Sequence, residues 1–276
     1  MLRGHSMASV DLQHIQTCAT AWAREAGELA RARQGSDFSA STKSDQSLVT
    51  EVDFQIQQLI VDHVVREFPE HGILAEEDTL IPSRSTGHGE ADYYWVIDPL
   101  DGTRNYVHGL PFYCVSIALM ERGVPVVGVI HDPNCDRTYT AIKGRGAFAG
   151  ERRMQVSTAC WPDGPLLGIP TPRQTPLPGV IYQDWASRGV LRHIGSTCLN
   201  LALTACGALD GCFAQEVKLW DVAAGALLVT EAGGRMTSPT GTTIFPIDPE
   251  RYEGENIAIL AGGEALHDEL MESLRP

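Results

Sequence analysis

An apolar run, Tyr93-Tyr94-Trp95-Val96-Ile97, passes without a polar spacer into Asp98-Pro99-Leu100-Asp101-Gly102-Thr103-Arg104-Asn105. An unbroken apolar stretch bounded by turn formers reads as a buried strand. Proline fixes its own φ and biases the preceding residue away from helix, so the chain is expected to turn at Asp98. That turn brings the Asp98 and Asp101 carboxylates and the Leu100 carbonyl toward one point. Any fold that accepts this run must therefore end a buried strand at a cluster of oxygen donors. An all-oxygen set suits a hard cation, Mg2+ or Mn2+, rather than zinc. Gly102 and Thr103 then read as a helix start, where free backbone N–H groups bind an anion and glycine permits close approach. Metal carboxylates beside an anion-binding helix start are what phosphoryl chemistry needs.

Two further segments place acids where an apolar run ends or a helix begins. They are Ile73-Leu74-Ala75-Glu76-Glu77-Asp78 and Lys218-Leu219-Trp220-Asp221-Val222-Ala223-Ala224-Gly225. Taken alone, Asp221 reads as a helix cap and Glu76 as a solvated loop acid. Asp, Pro, Gly and Thr are also ordinary turn residues. The combined run from Asp98 to Asn105 is much harder to reduce to a turn.

Around these segments the period of the pattern alternates. Leu12, Ile15, Ala19, Trp22, Ala26 and Leu29 step by three and four, which predicts an amphipathic helix. The polar stretch Gln34 to Ser47 reads as a loop or loose hairpin. Thr50 is a helix cap with acids in the following turn, and Val52, Ile56, Leu59, Ile60, Val64 and Phe68 continue that helix until Pro69. Strands are expected at 72–75, 93–97, 115–120, 124–130, 138–142 and 147–148. Glu121-Arg122-Gly123 reads as a hairpin turn. The segment from Trp161 to Pro178 carries six prolines and reads as a junction between lobes. Helices are expected at 196–206, 220–232 and 264–274, with a buried strand at 257–260. Sheets interleaved with helix layers follow from this order.

Bulk properties narrow the function classes. The 276 residues allow one large α/β domain or two modest lobes sharing a core. No apolar run approaches the roughly 20 residues of a membrane span, and the first residues carry no apolar segment of the secretory type. The net charge of −14, without a basic stripe, argues against nucleic acid as a partner. It fits either a solvated acidic surface or carboxylates that gather cations. The seven cysteines are odd in number and show no CxxC spacing, which argues against a disulfide framework or a zinc site and fits a reducing cytoplasm.

At this point the sequence resembles the inositol monophosphatase family, within the magnesium-dependent, lithium-sensitive phosphatases. The family motif D-P-[IL]-D-G-T-x-N-[FY] stands as Asp98 to Tyr106, and W-D-x-A-[AG] as Trp220 to Ala224. The acidic pair after a strand stands as Glu76-Glu77, with Ala75 in place of the usual glycine. An early stretch matches Lys43-Ser44-Asp45 and Leu48 to Asp53. The resemblance implies an α/β (α+β) fold, a layered αβαβα sandwich of the inositol monophosphatase and fructose-1,6-bisphosphatase type. One compact catalytic unit is expected, with an N-terminal lobe over 1–150 and a C-terminal lobe over 151–276.

The resemblance also implies roles. Glu76, Asp98 and the Leu100 carbonyl would hold one Mg2+, and Asp98, Asp101 and Asp221 a second, with a third, weaker ion leaning on Glu76; Mn2+ is a possible substitute. Thr103, polarised by Asp53, would orient the attacking water, and the Gly102 and Thr103 N–H groups would grip the phosphate. Ser196 and Thr197 would line the substrate pocket, while Glu77 and Lys43 would be supporting residues. A small phosphorylated substrate, a homodimer and a cytoplasmic location, with no membrane or nucleic-acid partner, are the family expectations.

Substrate choice is where the pattern departs. Family members acting on inositol phosphate carry a glutamate seven positions before the W-D aspartate, and here that position is Ala214. Gln215 or Glu216 could substitute after a small backbone shift, or both could face solvent. Arg188, Arg192 and His193 stand near the pocket loop and read equally as surface. Inositol 1-phosphate leads. Histidinol phosphate is the runner-up, with Glu216 a partner for its amine, ahead of sugar bisphosphates and adenosine bisphosphate. A non-catalytic binding module on the same fold is the reading from another class, and retention of the carboxylates weighs against it.

Overall fold

The computed structural model describes residues 10–35, 39–42, 48–77, 91–169 and 178–274. Helix α1, Leu12–Arg33, starts where the Asp11 carboxylate accepts from the Gln13 and His14 N–H groups, and it buries Ile15, Ala19, Trp22, Ala26 and Ala30 on one face. The expected hairpin arms are present as β1 (Ala40–Thr42) and β2 (Leu48–Thr50), paired antiparallel. Lys43 and Asp45 lie outside the described residues. Helix α2, Glu51–Glu67, opens with a capping box between Thr50 and Asp53. This box answers two of the N–H groups that a helix start leaves without partners.

A seven-stranded sheet follows in chain order: β3 (Gly72–Ala75), β4 (Tyr93–Asp101), β5 (Cys114–Glu121), β6 (Val124–Asp132), β7 (Arg137–Ile142), β8 (Gly146–Ala149) and β9 (Arg152–Arg153). Only β3 and β4 run parallel; every later neighbour is antiparallel. The short helix α3, Thr103–Val107, leaves the end of β4. A second sheet has the order β11 (Val190–Arg192), β10 (Leu166–Gly168), β12 (Gly211–Val217), β14 (Ile257–Gly262) and β13 (Arg235–Thr237). Its helices are α4 (Gly179–Arg188), α5 (Thr197–Ala205), α6 (Leu219–Glu231) and α7 (Glu264–Ser273).

Strand alternation sorts the large sheet into two faces. Ile73, Trp95, Ile97, Val115, Ile117 and Leu119 pack with α1 and α2, whereas Leu74, Val96, Cys114, Ala118 and Met120 pack with α5 and α6. On the far side of the second sheet, Trp161, Leu167, Trp185, Phe213, Leu260, Leu266 and Leu270 close a third cluster with α4 and α7. The layers are therefore αβαβα, as expected. Gly128 lets α6 lie tight on β6, since a Cβ there would come 2.8 Å from the Ala224 carbonyl oxygen.

Two expectations need correction. Strand β4 does not stop at Ile97 but continues through Asp101, and the register slips between the pairs Asp98–Ser116 and Asp101–Cys114. Pro99 has no N–H for the ladder and sits inside this bulge, so the chain kinks within the strand instead of turning out of it. The proline-rich segment 161–178 is not merely a junction: it contains β10, which pairs with both β11 and β12.

Candidate active site

The bulge in β4 carries the central carboxylate. Asp98 shares a strand face with Val96, turned toward α5 and α6, and its residue is 1% exposed. Its Oδ1 accepts from the Leu100 N–H at 3.0 Å, which tightens the bulge. Asp101 sits at the strand end, where its Oδ2 accepts from the Ser196 hydroxyl at 2.5 Å and the Cys198 N–H at 2.6 Å. Asp221 lies in the first turn of α6 and accepts from the Lys218 N–H at 2.6 Å. Carboxylate oxygens of Asp98, Asp101 and Asp221 all lie within 4.8 Å of one another.

Among the described residues, no Lys or Arg forms an ion pair with any of these three. Lys218, the nearest in sequence to Asp221, directs its ammonium to the Gly254 carbonyl and to Asn256 Oδ1. Burial, then the charges of Glu76, Asp101 and Asp221, holds Asp98 well above the ordinary carboxylate range. Burial raises Asp101 against its hydrogen bonds from Ser196 and Cys198, and burial with the charges of Asp101 and Glu76 pushes Asp221 up to about 8. Carboxylates that are buried or half-buried and repel one another, with no basic partner among the described residues, form a set that a cation relieves. Oxygen donors fit a hard divalent ion, so the residues present suit Mg2+.

Glu76 follows β3, and its N–H donates to the Ile97 carbonyl at 3.1 Å, which ties it to the β4 end. Glu77 is buried, with its backbone held on both sides by the Gln57 amide. Asp53, expected to polarise Thr103, is in reach: the Thr103 hydroxyl is 3.2 Å from Asp53 Oδ1 and 3.0 Å from the Leu100 carbonyl oxygen. Burial, against the hydrogen bonds from Thr50 and with the charge of Glu76 adding to it, raises Asp53 to about 6. Gly102 occupies φ +95°, and a Cβ there would meet the Phe112 carbonyl oxygen at 2.5 Å. Glycine is required at that step, and the first N–H groups of α3 follow directly without intrahelical acceptors.

The second half of the chain supplies the other wall. Ser196 caps α5 while its hydroxyl engages Asp101, and Thr197 is half-buried beside it. The Asn105 amide donates to the Phe112, Ile194 and Gly195 carbonyls and so fastens the 194–196 loop to the Asp98–Asn105 run. Sequence reasoning placed Asn105 in the motif without a role and missed the Cys198 N–H, because Ile194 and Gly195 lie about 90 positions from Asn105 and Asp101 lies 97 from Cys198. Ala214 is buried against Ile259, and a bulge between Ala214 and Val217 puts Glu216 at φ +58°. Arg188 is occupied at the surface, paired with Asp184 and stacked 4.2 Å from the Trp161 ring centre. Arg192 and His193 are exposed.

The cysteines hold a surprise of a different kind. All seven are free, as expected, but Cys114 and Cys198 come together beside Asp101, which their sequence spacing concealed. The two sulfur atoms and an Asp101 oxygen all lie within 4.8 Å of one another.

Comparison with known proteins agrees with this geometry. Residues 11–276 match the inositol monophosphatase family. The chain is 39% identical over 245 residues to inositol monophosphatase 2 of Solanum lycopersicum, covering 85% of this chain and 90% of that one. It is 34% identical over 263 residues to the Nus factor SuhB of Escherichia coli K12, covering 92% and 96%. The solved extragenic suppressor protein suhB of Bartonella henselae superposes with a TM-score of 0.85 at 30% identity, covering 95% and 98%. An IMPase/NADP phosphatase solved with Mg2+ and phosphate gives 0.80 at 25% identity, covering 95% of each chain. The carboxylate cluster, its register and these matches together place the chain in the inositol monophosphatase family.

Proposed function

We propose that the protein is a magnesium-dependent phosphatase that hydrolyses a small phosphate monoester, inositol 1-phosphate foremost. The observation that carries this reading is the set of buried Asp98 and half-buried Asp101 and Asp221, unpaired with any Lys or Arg among the described residues, beside the glycine-led start of α3. Glu76, Asp98, the Leu100 carbonyl, Asp101 and Asp221 would hold two to three Mg2+ ions, with Mn2+ a substitute. When bound, the ions neutralise this cluster and supply Lewis acidity toward a phosphoryl oxygen and the leaving group.

The residues of the chain do the rest. The Thr103 hydroxyl has one proton to donate, to Asp53 or to the Leu100 carbonyl, and keeps lone pairs that accept from a water. Asp53 is fixed in turn by the Thr50 N–H at 2.9 Å, so the pair orients that water without freedom to swing. Its raised pKa, about 6, suits a group that takes up a proton near neutrality. The Gly102 and Thr103 N–H groups face phosphate oxygens, and Thr197 and Glu216 border the alcohol portion of the substrate. Ser196 serves by holding Asp101. The location is the cytoplasm, consistent with seven free thiols, and the assembly is a homodimer of two-lobed subunits divided near residue 150.

A second reading comes from the relative named Nus factor SuhB: a binding role carried on the same fold. The complete carboxylate set favours catalysis. Phosphate release with saturating Mg2+ from inositol 1-phosphate, histidinol phosphate, fructose 1,6-bisphosphate and adenosine 3′,5′-bisphosphate decides, compared as kcat/KM. The expected order puts inositol 1-phosphate first. Preference for another member of the panel moves the substrate assignment to it, and no turnover on any overturns the phosphatase reading.

A further inference from the structure

We propose that Asp101, Cys114 and Cys198 form a second cation site, one that takes a thiophilic divalent ion such as Zn2+ and competes with the hard-ion seat for Asp101. Cys114 opens β5 and is the register partner of Asp101 across the β4 bulge. Cys198 lies in the first turn of α5, the same turn whose N–H holds Asp101. Both side chains are wholly buried, and the two sulfur atoms and the Asp101 oxygen form one group within 4.8 Å. A tetrahedral zinc with Zn–S near 2.3 Å and Zn–O near 2.1 Å separates its donors by about 3.5–3.8 Å. Cys114 Sγ and Asp101 Oδ2 stand 4.0 Å apart, so that pair needs a shift of roughly half an ångström, and no pair in the group needs more than about 1 Å.

Little holds the thiols elsewhere. Cys114 Sγ is 3.8 Å from the Ser196 hydroxyl, and Cys198 Sγ donates to the Asp221 carbonyl at 3.2 Å. Thiol hydrogen bonds are weak, and a zinc–thiolate bond replaces them. Three protein ligands leave a fourth position for water or for the Ser196 hydroxyl. The donor chemistry separates the two seats: Mg2+ has no use for sulfur, whereas two thiolates favour zinc. Because Asp101 belongs to both, occupation of the sulfur seat withdraws a ligand from the oxygen seat. Binding follows from the geometry alone; inhibition of turnover rests on the phosphatase reading.

The test uses the full chain, reduced and stripped of metal, titrated with Co2+ as a spectroscopic stand-in and with Zn2+ against a chelator. A thiolate-to-cobalt charge-transfer band is expected in the wild type. Cys114→Ala and Cys198→Ala should each weaken Zn2+ binding by at least about tenfold, since loss of even an outer partner of a metal ligand costs about 10–100-fold. The double variant should lose the band, whereas Cys212→Ala, a buried thiol elsewhere, should keep it. Should a Cys114 or Cys198 variant not fold, mass mapping of the wild type replaces it: Zn2+, but not Mg2+, should slow alkylation of these two cysteines. Absence of the band in the wild type, its survival in a folded double variant, or equal alkylation with and without Zn2+ overturns the proposal. None of these readouts depends on turnover, so failure of the phosphatase reading leaves the result interpretable.

Discussion

Thr103 and Asp53 come from elements separated by 50 positions, yet their oxygens meet at 3.2 Å because Thr50 and Asp53 also cap α2. The capping box thus doubles as the anchor of the group proposed to orient water. Replacing Thr103 with alanine should lower kcat by about 10²–10⁴-fold while KM moves little, and Thr103→Ser should restore most of the rate. A full-rate Thr103→Ala enzyme would show that the hydroxyl is a structural cap for Leu100 and nothing more. Much of this residue-scale picture was legible in advance, because Asp98 to Thr103 are neighbours in the chain and their types restrict the local backbone. The clasp on Asp101 was not: Ser196 and Cys198 reach it across about 95 positions, and a helix cap carries no mark of which distant side chain it will also hold.

At the scale of elements, long amphipathic helices and strands with a buried face were readable from their periods. The three-residue strands β10, β11 and β13 were not, since their pairing partners rather than their own side chains define them. Helix α4 buries only Trp185 fully, so no apolar stripe announces it. The bulge in β4 was half visible, as proline signalled a break in the ladder but not that pairing resumes at Asp101 with Cys114. Two substitutions test these joints. Thr50→Ala removes the cap of α2 and should cost about 1 kcal/mol, read in chemical denaturation. Gly102→Ala puts a Cβ 2.5 Å from the Phe112 carbonyl at φ +95° and should cost more than that, with phosphate release lost as the α3 start shifts. A Gly102→Ala protein as stable and active as the wild type would remove the close-approach argument.

For the molecule as a whole, five layers place their charge imbalance at one point, where the β4 end meets the first turns of α5 and α6. In the metal-free protein the acids there hold protons that an unfolded chain releases near pH 4. Their folded pKa values lie above the unfolded ones, Asp53 at about 6 and Asp221 at about 8. The stability they contribute is therefore full below the unfolded value and lost as pH rises through those values. The melting temperature without metal should fall between about pH 5 and pH 9, and Mg2+ should recover it most at the alkaline end. A metal-free melting temperature that rises over this range would contradict the electrostatic account. The central claim, that Asp98, Asp101 and Asp221 form the catalytic Mg2+ seat, is tested most directly by phosphate release from inositol 1-phosphate across a Mg2+ titration, wild type against Asp101→Asn. The account predicts saturable Mg2+-dependent release in the wild type and loss of about 10²–10³-fold in a variant that stays folded, in line with the loss of a group stabilising the transition state. Full Mg2+-dependent turnover by Asp101→Asn would contradict it.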